Sequence, residues 1–395
     1  ERQRSMEPGV FLEIRQRMQS GLLIIRYRSP MAGSLPMDIS VTPTINLPEE
    51  IRIVPSSCRG LQYVAGDGLH MRLLVQADSD TSKILRYFNK SLKAQRSYSF
   101  YCQLCGEIII KERTFLRVLP LPSEHWGALV EEWCCHPSPF ASSLLHPLDD
   151  DCLLGDTYVL VNSGSKGPRP EPWGTPTERG SEKSKENTRV ICKRCKAMLG
   201  ETVSSGTTKY YVTELIIRPS VEGFHMISRS LFVQNVVAQC LVELSSARST
   251  FRFRIQGHDG KTYILMWLLN SDTLLVESMG NSDTSNTFTL FEDHLRTSFM
   301  SSDTWNAIKV LFLPCIKDRN KILADAWEND FGVHLLTFPS KTCLELLLIM
   351  SLNNASLPPS LQCLNSFQVK KCLPFILYIY KAVVSRKTRM APTGP

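Results

Sequence analysis

The chain has 395 residues, enough for two or three domains with separate cores. Hydrophobic residues make up 43% and charged residues 21%, the ordinary balance of a soluble globular protein. The net charge is +7, but six of those charges sit at Lys370, Lys371, Lys381, Arg386, Lys387 and Arg389. Residues 1–369 are therefore nearly neutral, which argues against a phosphate-tracking surface and direct nucleic-acid binding.

In chain order, the first hundred residues read mainly as strands: Val10–Arg15, Leu22–Tyr27, Ile51–Val54, Leu61–Val64 and Leu69–Val75. Each is short and rich in β-branched or aromatic residues. Gly66-Asp67-Gly68 between the last two is a hairpin signal. Ser82 to Gln95 predicts a helix, with Ile84, Leu85, Phe88 and Leu92 on one face. From Tyr98 the pattern becomes strand, knuckle, strand, strand: Ser99–Cys102, Glu107–Ile110 and Thr114–Leu119. Pro120 and Pro122 end it, and Ser123 caps a short helix running to Trp133.

Residues 163–189, rich in Gly, Pro and mixed charge, read as a disordered insertion. Thr208–Ile217 follows as one strand and Ile227–Leu244 as the longest helix, with Leu231, Val237, Cys240, Leu241 and Leu244 at helical spacing. Phe251–Ile255, Thr262–Trp267 and Thr273–Glu277 suggest a meander, and a helix near Thr342–Ser351 closes the domain. The apolar stretch Leu373–Tyr380 is shorter than the ~20 residues that span a bilayer. It reads as a frayed or variant C-terminus.

The residues with the clearest chemistry are two Cys-x-x-Cys pairs, Cys102/Cys105 and Cys192/Cys195. Each pair converges two thiolates on a tight turn and supplies half of a tetrahedral zinc site; two pairs supply all of it. Gly106 follows the first pair, where a positive φ relieves the turn. The competing reading is a set of buried thiols or a redox dithiol, which would prefer a βαβ setting that is absent here. The 86 residues between Cys105 and Cys192 exceed the roughly 12–20 of a compact zinc ribbon. Such a long gap resembles the β-tent class of zinc modules, in which knuckles pin two small sheets at their apex. The thirteen cysteines include several in apolar runs, Cys240, Cys315 and Cys343 among them, and the first residues, Glu1-Arg-Gln-Arg4, hold no apolar stretch of the kind a signal peptide needs. A reducing compartment with metal-bound thiols is the expectation.

Glu131-Glu-Trp-Cys-Cys-His-Pro137 is the second chemical segment. Pro137 and Pro139 force it out of helix. Cys134 and Cys135 read either as one buried thiol with an incidental neighbour or as an exposed thiolate that binds a metal or forms a thioester. No phosphate loop, dinucleotide fingerprint, HExxH or nucleophile elbow is present.

Six stretches together carry a family resemblance. They are Val54-Pro-Ser-Ser-Cys-Arg-Gly-Leu-Gln, Phe100-Tyr-Cys-Gln-Leu-Cys-Gly-Glu, Trp126-Gly-Ala-Leu-Val, Glu132-Trp-Cys-Cys-His-Pro, Val190-Ile-Cys-Lys-Arg-Cys-Lys and Leu244-Ser-Ser-Ala-Arg-Ser-Thr-Phe-Arg-Phe. From about Val10 to Val369 the chain resembles the HECT-like ubiquitin ligases that bind ubiquitin-conjugating enzymes. The resemblance implies transfer of ubiquitin from a conjugating enzyme to substrates, with the enzyme contact over Arg218–Cys240, including Phe232. It also implies binding and inhibition of the pre-mRNA 3′-end cleavage endonuclease. The segment 120–150 would enter the nuclease active site, with Trp133, Cys134, Cys135 and His136 in contact and Cys135 on the partner's zinc. Cytoplasm, and also nucleus, is the implied location. Cys343 and Cys363 are late enough for a transfer cysteine, but Cys343 sits in an apolar run and no catalytic cysteine is assigned. The alternative is a non-enzymatic, zinc-structured inhibitor or assembly chaperone of that nuclease.

The expected fold is α+β and predominantly β. It divides into an N-terminal β-rich region (1–97), a zinc-knuckle module (98–217), an α+β C-terminal HECT-like part (218–369) and a basic, apolar tail (370–395). No membrane span is expected.

Overall fold

The computed structural model describes residues 9–26, 47, 51–77, 92–121, 147–162, 189–204, 206–278, 303–316, 319–363 and 375–381. The expected helix from Ser123 to Trp133, most of that from Ser82 to Gln95, and the insertion through residue 188 lie outside these residues.

The first arm is an antiparallel set of strands β1 (Gly9–Arg15), β2 (Ser20–Arg26), β3 (Ile51–Val64) and β4 (Gly68–Ala77), ordered β1-β2-β4-β3. The two strands expected at Ile51–Val54 and Leu61–Val64 are one irregular strand. Its register against β4 shifts between Val54 and Arg59 and again before Gln62, so bulges absorb the polar residues that looked like a break. The expected hairpin turn does join β3 to β4, with Gly66 at φ 88° and Gly68 at φ 117°. A Cβ on Gly68 would collide with the backbone carbonyl of Ile25 in β2. Gly68→Ala should therefore cost about 2–4 kcal/mol, combining backbone strain with a clash that no rotamer relieves. Urea unfolding measures it; a loss below about 1 kcal/mol would show that the turn can relax.

The middle of the chain builds two smaller sheets. Strands β5 (Arg96–Cys102), β6 (Ile108–Phe115), β7 (Arg117–Pro120), β8 (Asp151–Leu154) and β9 (Tyr158–Asn162) come before the insertion. After it come β10 (Arg189–Ile191), β11 (Met198–Ser204), β12 (Thr207–Tyr211) and β13 (Leu215–Pro219). One sheet runs β13-β5-β6 and the other β10-β11-β12-β9-β8-β7, with β7 and β8 parallel. The chain passes between the sheets twice, at places that local propensity reads as continuous strand. Thr114–Leu119 divides at Leu116, whose N–H leaves β5 for Asp150 O. Thr208–Ile217 divides at Val212–Glu214, where Val212 N donates to Thr157 O and Glu214 N to Tyr211 O. The sheets share one core of Tyr98, Phe100, Phe115, Cys152, Val159, Val161, Leu199 and Tyr210. Phe100 meets Tyr210 edge-on at 6.5 Å between ring centroids.

Helix α1 (Arg229–Arg248) matches the long helix of the sequence pattern. Its Val233, Val237, Leu241 and Leu244 enter the largest core, while Phe232, Val236 and Cys240 pack on Ile216 of β13 and on Tyr101. Burial on two faces explains why its apolar residues occupy most of its circumference. Then follow β14 (Arg252–Gly257), β15 (Thr262–Ser278), β16 (Asp303–Pro314), α2 (Lys321–Glu328), β17 (Val333–Phe338), α3 (Ser340–Ser356), α4 (Pro359–Gln362) and β18 (Phe375–Lys381). The last two strands of the expected meander are a single strand, β15. Its register against β16 shifts around Asn270, where Asn270 Nδ2 donates to Thr273 Oγ1 and Asn270 Oδ1 accepts from Asp272 N.

The β15–β16 pair is the spine of a nine-stranded sheet. On one edge β15 pairs β14 along its first half and β1 along its second. Thus residues near the two ends of the chain share one sheet. A buried Glu13–Lys309 ion pair at 3.1 Å spans β1 and β16. Instead of fraying, Phe375–Lys381 pairs antiparallel with β16 over Asn306–Phe312, so backbone groups of β16 gain partners. The α+β, predominantly β class expected from sequence holds, with four helices among the described residues. None of these helices is long and apolar enough to cross a membrane.

Candidate metal centre

Both Cys-x-x-Cys pairs sit in hairpin turns, the first between β5 and β6, the second between β10 and β11. Cys102 N donates to Glu107 O at 2.8 Å, and Gly106 N donates to Cys102 O at 2.9 Å. The second knuckle repeats this: Cys192 N to Ala197 O at 2.8 Å, Lys196 N to Cys192 O at 3.0 Å. The residue after each pair takes the left-handed conformation, Gly106 at φ 73° and Lys196 at φ 59°. Lysine bears a steric cost there, but the first site also requires a glycine for space. A Cβ on Gly106 would lie 2.7 Å from Phe224 Cε1.

The knuckles meet crosswise. Cys102 Sγ lies 3.6 Å from Cys195 Sγ, Cys105 Sγ lies 3.6 Å from Cys192 Sγ, and all four sulfurs fall within 4.8 Å of one another. A zinc–thiolate bond of about 2.3 Å gives a tetrahedron with edges near 3.8 Å, so the donor set fits a four-coordinate zinc ion. Cys102 and Cys192 are buried, Cys105 is half-buried and Cys195 is exposed. Burial pushes the Cys102 and Cys105 thiols up from their ordinary values. Burial also opposes ionisation of Cys192, but the backbone amides of Cys195 and Arg194 and the neighbouring thiols outweigh it and lower its pKa. The pairs that spacing singled out therefore converge. Among the described residues they form the one cluster of three or more potential ligands.

Sequence reasoning missed the junction beneath the first knuckle. Gln103, between the two cysteines, is buried; its Nε2 donates to Ile227 O at 3.0 Å. Its Oε1 accepts from Arg229 Nη1 at 3.3 Å, and its N donates to Glu214 O at 3.0 Å. Arg229, in the first turn of α1, also pairs with Glu214 at 3.0 Å and with Glu345 of α3 at 2.9 Å, and donates to Thr213 O and Thr342 Oγ1. Burial opposes the charge on Arg229, yet the two carboxylates hold its pKa above the ordinary value. Polar residue types alone carried no signal for this, since most arginines and glutamates are surface residues.

The remaining sequence candidates are separate. Trp133, Cys134, Cys135 and His136 lie outside the described residues. Arg218, on β13, is partly exposed and 3.6 Å from Glu222. Phe232 and Cys240 face inward; the Cys240 thiol donates to Asp156 O at 3.3 Å, and burial pushes its pKa up to about 12. Cys343 is in the core of α3 with its thiol pushed up by burial, and Cys363 is half-buried just after α4.

A family model described as HECT-like ubiquitin-conjugating enzyme (E2)-binding matches residues 13–369. A Mus musculus protein named as an E3 ubiquitin-protein ligase is 57% identical over 375 residues, covering 92% of this chain and 97% of its own length. The Homo sapiens protein of the same name is 55% identical over 383 residues, with the same coverage of both chains. An uncharacterized Saccharomyces cerevisiae protein is 25% identical over 139 residues, covering 33% of this chain and 36% of its own. No solved structure matches the chain.

Proposed function

This chain belongs to the HECT-like family that binds ubiquitin-conjugating enzymes (E2), and on that premise we propose that it is a ubiquitin-protein ligase, receiving ubiquitin from a conjugating enzyme and passing it to substrates. The family match over residues 13–369 carries this reading. Relatives at 55–57% identity that bear the ligase name support it.

Within Arg218–Cys240, the conjugating enzyme would meet the loop 219–228. Here Val221 is 94% exposed and Met226 61% exposed, whereas Phe232 and Cys240 hold the segment from inside. Val221→Asp with Met226→Asp should weaken conjugating-enzyme binding at least tenfold in a calorimetric titration, with thermal stability unchanged. Unaltered affinity would place the contact elsewhere. A thioester mechanism needs an accessible thiolate, which the buried Cys343 does not offer. Substituting each cysteine in turn by alanine, in a transfer assay with and without reductant, identifies any acceptor thiol. If every variant transfers ubiquitin, the chain acts by positioning the charged enzyme beside substrate.

The four knuckle thiols would hold a structural zinc ion that cross-links β5–β6 to β10–β11. The proposal extends to the pre-mRNA 3′-end cleavage endonuclease, with Cys135 as a soft ligand to the nuclease's zinc. Support for this part is the composition of the Cys134-Cys-His-Pro137 segment, in which a thiolate and an imidazole would offer soft ligands. Cys135→Ala should abolish nuclease inhibition while leaving the fold intact; full inhibition by that variant rejects the role. Inhibition without any ubiquitin transfer would favour a non-enzymatic inhibitor or assembly chaperone.

A further inference from the structure

The loop 219–228 and the start of α1 are fastened to the first knuckle by three independent contacts. Gln103, whose backbone is fixed on both sides by clustered cysteines, donates to the carbonyl of Ile227 and accepts from Arg229. Tyr101, immediately before Cys102, stacks on Phe224 with centroids 5.1 Å apart. Gly106, immediately after Cys105, leaves no room for even one carbon beside the Phe224 ring. Phe224 and Ile227, the apolar anchors of the loop, pack in the cluster that holds Phe232, Val236 and Cys240 of α1. From 220 to 228 the loop is neither strand nor helix; Ser220 N donates to Ser97 O at 2.9 Å at its start, and these anchors hold the part beyond it.

We propose that metal occupancy of the four-cysteine clasp sets the conformation of residues 219–228 and the first turn of α1, making partner binding at this loop metal-dependent. With a divalent cation bound, four thiolates are drawn to one point and both knuckles have a single geometry. Without it, nothing draws the four sulfurs to one point, and the Cys102–Gly106 turn has no reason to keep Gln103 under Ile227. The carbonyl of Ile227 then loses its buried donor, and Phe224 loses the turn it packs against. Metal loading thus becomes a local order–disorder bias on the loop that packs against the first knuckle.

The partner clause rests on the conjugating-enzyme reading above, so the test keeps the two apart. Hydrogen–deuterium exchange is measured on the full chain, zinc-loaded and after chelation, for peptides covering 219–232, with 349–356 of α3 as internal reference. Chelation should raise exchange in 219–232 at least tenfold and leave 349–356 unchanged. Gln103→Ala, which keeps all four thiols, should retain the wild-type zinc content and still raise exchange in 219–232 several-fold. Unchanged exchange in 219–232 under both conditions overturns the coupling. So does an equal rise at 349–356, which marks general unfolding. Titration of a ubiquitin-conjugating enzyme completes the set, with affinity expected to fall at least fivefold on chelation and in Gln103→Ala. If exchange responds and affinity does not, the metal coupling stands and the loop is not the conjugating-enzyme contact.

Discussion

Replacing Cys102 and Cys192 together by serine is expected to remove all stoichiometric zinc and to destabilise the protein by more than about 5 kcal/mol. Together the two substitutions take one thiol from each knuckle, leaving two thiols that lack the donor count of a structural site. Both side chains are fully buried in the core between the two small sheets, so the new hydroxyls lose water as well as metal. Structural zinc in small peptides contributes apparent binding energies of about 10–16 kcal/mol. Only part of that is expected here, because the sheets also share an apolar core. Cys152→Ser is the matching control, since Cys152 is buried in the same core and is not one of the four ligands. It should cost about 1–3 kcal/mol and keep the zinc. Metal analysis by mass spectrometry and urea unfolding read out both variants. A double variant that keeps its metal, or unfolds at the wild-type urea concentration, would refute the clasp.

The same centre has a definite pH sign. A metal-bound cluster would hold fewer protons than the free thiols; burial raises the Cys102 and Cys105 pKa values, while backbone amides and neighbouring thiols lower that of Cys192. Protons therefore compete more strongly, zinc affinity falls as pH falls, and zinc-dependent stability is lost on acidification.

Arg229→Met should cost about 3–5 kcal/mol without touching a metal ligand. The side chain is 10% exposed, and it alone joins the β12–β13 turn, the first knuckle, α1 and α3. Its loss leaves Glu214 and Glu345, at 5% and 22% exposure, without their shared cation. Adding Glu214→Gln and Glu345→Gln to Arg229→Met should recover part of the loss, because the orphaned charges are then gone. Arg229→Lys should fall between, since an ammonium cannot reproduce the planar fork that reaches both carboxylates and three further acceptors. Denaturant unfolding of the four proteins provides the comparison, and a cost below about 1 kcal/mol for Arg229→Met would remove this junction from the account.

Signals confined to a few consecutive residues were legible. The Cys-x-x-Cys spacing named the four thiols, Gly66-Asp67-Gly68 marked a true hairpin, and helical spacing located α1 and α3. Breaks decided by distant partners were not. Thr208–Ile217 has strand propensity throughout, yet Thr157 and the buried Arg229–Glu214 pair turn the chain at Val212–Glu214 into a second sheet. Conversely, Asn270-Ser271-Asp272 looks like a turn, but Asn270 satisfies local backbone and side-chain groups and the strand continues. Gln103 could not be distinguished from any solvated glutamine until Ile227 and Arg229 were beside it.

By itself, then, the sequence determined which four thiols form the cluster, the strand-rich class and the positions of the main helices, because periodicity and short spacing are properties of the local chain. Tertiary structure alone decided that the knuckles meet, that β1 joins β15 across more than two hundred and fifty residues, and that the first knuckle grips α1. Each of these is a contact whose stability comes from burying groups far apart in the chain. No local pattern records which distant group will supply the missing hydrogen bond, charge or apolar surface.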